Sequence, residues 1–329
     1  MNLPHQAQKV GVIVAAAVAF GLFSPLVEAA SAPLSNPAVL TQLDIAKGQQ
    51  PENIALEPDG SADLTFGFNG QVARINRSGD VQVTDQLPVP TNGDVPGSHS
   101  KIFLGGIVRI ADGTRYVAVS TGTAQGTGVY RLQSGHQPSR IAALPSTSFL
   151  NGMALDKSSG ELYIADSVQS TVWRVSLRGG NPSAWATDKA LAPISAPPPA
   201  GGFGADGLKI HHDSVWVSNI STGTLLRIPI SPNGTAGTTR TMITGLGPID
   251  DFAFTKFNHE PVILAAINPD NRVVLIKPDR SVSTVLTAAD GLSNPTSVAI
   301  RNSTVYVTNG AYFNKHDPSL LTAQLDKLI

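Results

Sequence analysis

Leu150-Asn151-Gly152-Met153-Ala154-Leu155 is one of six copies of a short phrase in this chain of 329 residues. The others are Pro51-Glu52-Asn53-Ile54-Ala55-Leu56, Leu104-Gly105-Gly106-Ile107-Val108-Arg109, Ala205-Asp206-Gly207-Leu208-Lys209-Ile210, Ile249-Asp250-Asp251-Phe252-Ala253-Phe254 and Pro295-Thr296-Ser297-Val298-Ala299-Ile300. Successive copies start 53, 46, 55, 44 and 46 residues apart. A period of about 40 to 50 residues is that of a propeller blade. The unit around Leu150 shows the plan. After the phrase come a turn at Asp156-Lys157-Ser158-Ser159-Gly160, a strand-like run Glu161 to Ala165, another at Thr171 to Leu177, and an outer piece at Ser183 to Thr187. These runs are β-branched, partly alternating and bounded by Gly, Asn, Asp and Ser. The sequence therefore predicts an all-β six-bladed β-propeller, one domain over residues 33–329.

The sixth unit lacks an outer strand: after Thr304-Val305-Tyr306-Val307 only Ser319 to Leu325 remains. Residues 38–45, which precede the first copy, have no blade of their own. They are predicted to complete the last blade and close the ring, which protects edges that otherwise invite aggregation.

Composition narrows the function. Charged residues make up 14% of the chain and the formal net charge is −1, so nothing favours nucleic acid or an anionic membrane surface. Cysteine is absent, which removes disulfides, thiolate metal sites and thiol nucleophiles. Lys9 followed by the apolar run Val10 to Phe23, then Pro25 and the small residues up to Ala32, read as a signal peptide over residues 1–32. A secreted or periplasmic protein follows, without stable membrane insertion after cleavage, and a monomer is expected.

The second position of the phrase varies where the apolar positions do not: Glu52, Gly105, Asn151, Asp206, Asp250, Thr296. First strands line the channel of a propeller, so these residues share one axis. Carboxylates that close repel one another unless they take up protons or a cation. Glu52, Asn151, Asp206 and Asp250 offer hard oxygens, which suit Ca2+, or another hard divalent cation such as Mg2+, rather than Zn2+. The alternative is that each merely caps a turn. Asp251 is expected to point away from its neighbour.

Loops before first strands and after second strands open on the same face. Second-strand ends bring Asp166, Asn219, Asn268 and Asn309 there, the loop before the second copy brings His99 and Lys101, and the tail brings His316. Lys101, Asp166 and Asn219 are expected to touch a small-molecule substrate, and His99 and Asp206 to serve acid–base steps. The loop from Ala192 to Phe203 is expected to form part of a wall. His211, His212 and His259 belong to the opposite face.

Asn151-Gly152-Met153-Ala154-Leu155-Asp156 followed by Leu162-Tyr163-Ile164-Ala165-Asp166-Ser167, and Ala205-Asp206-Gly207-Leu208 followed by Val215-Trp216-Val217, resemble the senescence marker protein/gluconolactonase/luciferin-regenerating enzyme family of six-bladed propellers. The resemblance covers nearly the whole chain after residue 32. It implies one divalent metal held by Glu52, Asn151 and Asp206, with Asp206 also the general base of lactone hydrolysis. Asp250-Asp251 is similar to an acidic fifth-blade ligand of the related paraoxonases. The chain departs from the pattern at the second blade, where Gly105 stands in place of an asparagine. Gly105 and Gly106 are expected to leave open space for substrate. The reading is a metal-dependent hydrolase of a lactone or related ester. The alternatives are a non-catalytic binding propeller with a structural metal, or a lyase or cyclase on the same scaffold.

Overall fold

Each copy of the phrase forms the innermost strand of a four-stranded antiparallel sheet in the computed structural model, which describes residues 33–194, 202–255, 262–314 and 316–326. The expected signal peptide, His259 and most of the loop between Ala192 and Phe203 lie outside these residues. The six inner strands are Pro51–Leu56, Phe103–Arg109, Leu150–Asp156, Ala205–Ile210, Ile249–Phe254 and Pro295–Arg301. In the first five blades the strands follow chain order outward. The sheets stand in a ring, a six-bladed propeller.

The sixth blade is closed from the N-terminus. Leu34–Gln42 pairs antiparallel with Ser319–Leu325, with Ala38 opposite Thr322 and Val39 opposite Leu321. The closing strand starts four residues earlier than residue 38 and ends before residue 45. It stops because the Asp44 carboxylate accepts from the Ala46 amide and caps a short 3-10 turn at Ile45–Lys47.

Second strands such as Arg115–Ser120 and Ser214–Asn219 are buried at every position, which is why they read as short apolar runs bounded by polar residues. The apolar clusters lie between neighbouring blades. One joins Ala55 and Val72 of the first blade to Leu104, Val117 and Leu132 of the second. Another joins Leu264 and Leu275 of the fifth to Val307, Leu321 and the closing Leu34 of the sixth. Burying each such side chain contributes roughly 1.5–3 kcal/mol, so blade-to-blade packing carries the ring.

Every inner strand bulges inside the phrase. Pro51 pairs with Phe66 but Ile54 with Leu64, and Leu150 pairs with Asp166 but Met153 with Ile164. The same extra residue appears in the other four blades. A bulge releases residues from the ladder and re-aims their side chains. The second and third positions of the phrase are therefore both available to the channel. Buried hydroxyls bond the backbone of the neighbouring bulge: Thr65 to the Gly105 carbonyl, Ser167 to Ala205, Ser218 to Asp250 and Thr296 to Pro51.

Candidate metal centre

Glu52, Asp206 and Asp250 come from three different blades, and one carboxylate oxygen of each lies within 4.8 Å of the others. All three side chains are buried, as is Asn151. Among the described residues, no lysine, arginine or histidine forms an ion pair with any of the three. Each pair of charges at this range repels by roughly 3 kcal/mol at an effective dielectric of about 20. Burial first, and then the neighbouring charges, push all three carboxyls upward. Glu52 is pushed to about 8, and Asp206 and Asp250 rise well above the ordinary carboxylate range.

Two more side chains complete the group. The Tyr312 hydroxyl donates to Glu52 Oε2 at 2.6 Å, and Asn268 Nδ2 donates to Asp250 Oδ2 at 3.0 Å. The sequence reading placed Asn268 on this face without assigning it a role, and it missed Tyr312. Tyr312 lies in the link between the second and third strands of the last blade, which runs over residues 310–318 and is longer than the corresponding links, so no repeat position marks it.

Two oxygens of this group have no partner. Asp206 Oδ1 and Asn268 Oδ1 are buried acceptors without a donor. A buried polar atom left unmatched costs about 1–3 kcal/mol. Three carboxylates and the Asn268 amide oxygen, the two unmatched atoms among them, form an all-oxygen donor set. That set fits a hard divalent cation and fits neither a thiolate nor an imidazole metal site.

Asp251, the next residue along, faces a different environment. Both its oxygens accept from Lys209 Nζ at 2.6 Å. Ser297 Oγ donates to it at 2.5 Å and Asn53 Nδ2 at 3.4 Å. Asn53, Asp251 and Ser297 all occupy the third position of the phrase, and they form a second polar layer in the channel.

The residues expected to meet substrate are otherwise engaged. Asp166 accepts from the backbone amides of Phe149, Val168 and Gln169 and from Trp173 Nε1. Asn219 donates to the Ala190 and Ala192 carbonyls and accepts from Ser221 and Thr222. Asn309 likewise ties Ser293, Gly291 and Ser319. These side chains hold the loops leading into the inner strands, which corrects the expectation that Asp166 and Asn219 point at substrate. Lys101 pairs with Asp94 at 2.7 Å on the surface. That hydrogen bond, helped by the charges of Lys101 and His99, holds Asp94 below the usual carboxylate range. His99 is exposed and makes no hydrogen bond to the acidic group among the described residues. His316 pairs with Asp317 on the surface, and His211 stacks on Phe254.

The space expected at Gly105 is filled. A Cβ there would lie 2.4 Å from the Leu150 carbonyl oxygen, and one at Gly106 would lie 2.4 Å from the Met153 nitrogen. The second and third blades approach so closely here that only glycine fits. This corrects the expectation of a substrate gap on that side.

No family model and no curated protein matches the sequence. Solved structures do match the fold. A gluconolactonase from Xanthomonas campestris is 12% identical over 90% of this chain and 91% of its own, with a TM-score of 0.63. Regucalcin from Agrobacterium tumefaciens, described as a calcium-binding protein, is 16% identical over 88% and 93%, with a TM-score of 0.64. Virginiamycin B lyase from Staphylococcus aureus is 12% identical over 88% and 99%, with a TM-score of 0.55. At these identities the likeness is one of fold, and at that level it meets the resemblance read from the sequence.

Proposed function

We propose that this protein is a divalent-cation-dependent hydrolase of a lactone or related ester. The observation that carries the reading is the buried trio of Glu52, Asp206 and Asp250, which has no cationic partner among the described residues and an unmatched oxygen on Asp206. The fold shared with a gluconolactonase and with a calcium-binding protein supports it. Export, expected from residues 1–32, would place the site where calcium is plentiful.

Glu52, Asn151, Asp206 and Asp250 would hold Ca2+ or a similar ion, whose chemistry when bound is to polarise the substrate carbonyl and stabilise the oxyanion. Tyr312 and Asn268 fix the orientation of Glu52 and Asp250 by one hydrogen bond each. Asp206 takes the proton of the attacking water: its Oδ1 is the acceptor that no protein donor meets. Water oxygen bonds to the carbonyl carbon, the ester C–O bond breaks, and Asp206 returns the proton to the departing alkoxide. His99 and Lys101 have no part in this sequence.

The likeness to virginiamycin B lyase favours a second reading, a lyase or cyclase on the same scaffold. Product mass separates the two, since hydrolysis adds one water and elimination adds none. The test is a panel of lactones and aryl esters, with calcium and with a chelator. Asp206→Asn and Glu52→Gln are each expected to lower hydrolysis at least about a hundredfold and to remove calcium binding measured by calorimetry. Unchanged hydrolysis in both variants would sink the mechanism. Calcium binding without turnover of any ester would leave a binding propeller with a structural metal.

A further inference from the structure

The channel mouth also carries an aromatic row. Tyr312, Phe68, Phe103, Phe149 and Phe203 contact one another in that order, with ring centroids 5.3, 5.4, 4.3 and 4.6 Å apart. The row runs from the loops of the last blade past the first three to the fourth. It joins the acidic group directly, because the same Tyr312 that touches Phe68 donates to Glu52. Phe103 and Phe149 are its buried middle, packed under Val95, while Phe68 and Phe203 reach solvent.

The exposed apolar side chains are distributed unevenly. Among the described residues, seven large ones are exposed. Val39, Val83 and Val282 lie on outer strands. The other four, Phe68, Val89, Ile194 and Phe313, lie in links that open on the face carrying the acidic group. Among the described residues, none of the seven lies in a link on the opposite face. Isolated exposed apolar residues are ordinary, but a cluster around one mouth marks a contact surface.

Among the described residues, the second-strand-end side chains and Lys101 on the same rim are engaged by other protein groups. A polyhydroxylated lactone needs free donors and acceptors around it. Asp166, Asn219 and Asn309 are bonded to their own loops, and Lys101 is paired with Asp94.

We infer that the substrate carries an apolar acyl or aryl group, which lies along Phe68 and Phe203 while its ester carbonyl faces Glu52, Asp206 and Asp250. This rests on the hydrolase reading for the position of the carbonyl. It places the selectivity of the site in an aromatic wall instead of in hydrogen bonds to hydroxyls.

Binding of unreactive γ-lactams with alkyl chains of about two to ten carbons, measured by calorimetry on the calcium-loaded protein, tests this. Affinity is expected to rise about twofold per methylene, less than full burial gives because the wall covers one side. Phe68→Ala and, separately, Phe203→Ala flatten that rise, whereas Val282→Ala on an outer strand keeps it. Affinity independent of chain length, or tighter binding of a polyhydroxylated lactam, overturns the inference. So does co-sedimentation of the protein with phosphatidylcholine vesicles that is lost in Phe68→Ala while the lactams show no chain-length dependence, which would assign the rim to a membrane surface. Chain-dependent lactam binding without hydrolysis of any ester keeps the wall and removes the hydrolase. Ester hydrolysis with no chain dependence does the reverse.

Discussion

Asp250 and Asp251 are consecutive residues on one bulged strand, yet they occupy opposite electrostatic situations. Asp251 meets a lysine, a serine and an asparagine, and its layer is saturated. Asp250 faces Glu52 and Asp206 across less than 5 Å, and among the described residues Asn268 bonds it while no cation offsets them. Both layers are built from the same phrase repeated around the ring. The difference lies in who supplies the positive charge. For the third-position layer it is Lys209, on the neighbouring blade. For the second-position layer there is none among the described residues, and the deficit is what a bound cation would fill. One layer holds the fold together, and the other stores repulsion that a bound cation would relieve.

The strongest way to break this contrast is to vary pH. The folded-state pKa of Glu52, about 8, exceeds its ordinary 4.5, and Asp206 and Asp250 are raised too. The folded protein without metal therefore holds more protons than the unfolded chain between roughly pH 4.5 and 8. Stability is fully present at the acidic end and falls as pH rises through that window, by about 1.4 kcal/mol per unit for each extra proton held. In chelator, the melting temperature should drop steadily from pH 5 to pH 8. Saturating calcium should restore it, and by more at pH 8 than at pH 5. A flat profile in chelator would mean that the second-position layer is already neutralised by other means.

Next in size is the saturated layer. Asp251→Asn strips the counter-charge from Lys209, which is largely buried, and should destabilise the protein by about 2–3 kcal/mol in chemical denaturation, less than for a wholly enclosed pair because part of the ammonium reaches water. Calcium affinity should change far less than in Asp206→Asn. If Asp251→Asn loses calcium binding and keeps its stability, the two layers have exchanged roles.

The smallest effect sharpens the contrast instead of testing it. Tyr312→Phe removes one hydrogen bond to Glu52 and no carboxylate. Partners that orient a metal ligand typically alter affinity by about tenfold. Calorimetry should show a weakening of that order with the fold intact. No change at all would make Tyr312 part of the aromatic row alone.

The repeat made the fold legible. Apolar positions in the phrase are dictated by packing between blades, so six copies announce six blades even where overall identity to known propellers is low. The closing strand was legible for a similar reason: the last unit was one strand short and the first residues were one strand over. Glu52, Asn151, Asp206 and Asp250 could be aligned because they occupy a repeated place. What lay outside the repeat did not show. Tyr312 belongs to a link that is longer than its counterparts in the other blades. Lys209 finds Asp251 only through the approach of two blades. Asp166, Asn219 and Asn268 look equivalent in sequence, yet the first two bind their own loops and only Asn268 turns to the acidic group. Gly105 looked like empty space because a sequence lists side chains and does not show the neighbouring backbone that occupies the place of a missing one.

The strand that completes the sixth blade sets a clock on folding. Leu34 pairs with Leu325, so the ring has no closed form until nearly the whole chain is in hand. Until then the strand Ser319–Leu325 has no outer neighbour, and the first blade has no sixth to pack against. Such long-range pairing is slow to form because the chain must lose the entropy of a very large loop before any contact rewards it.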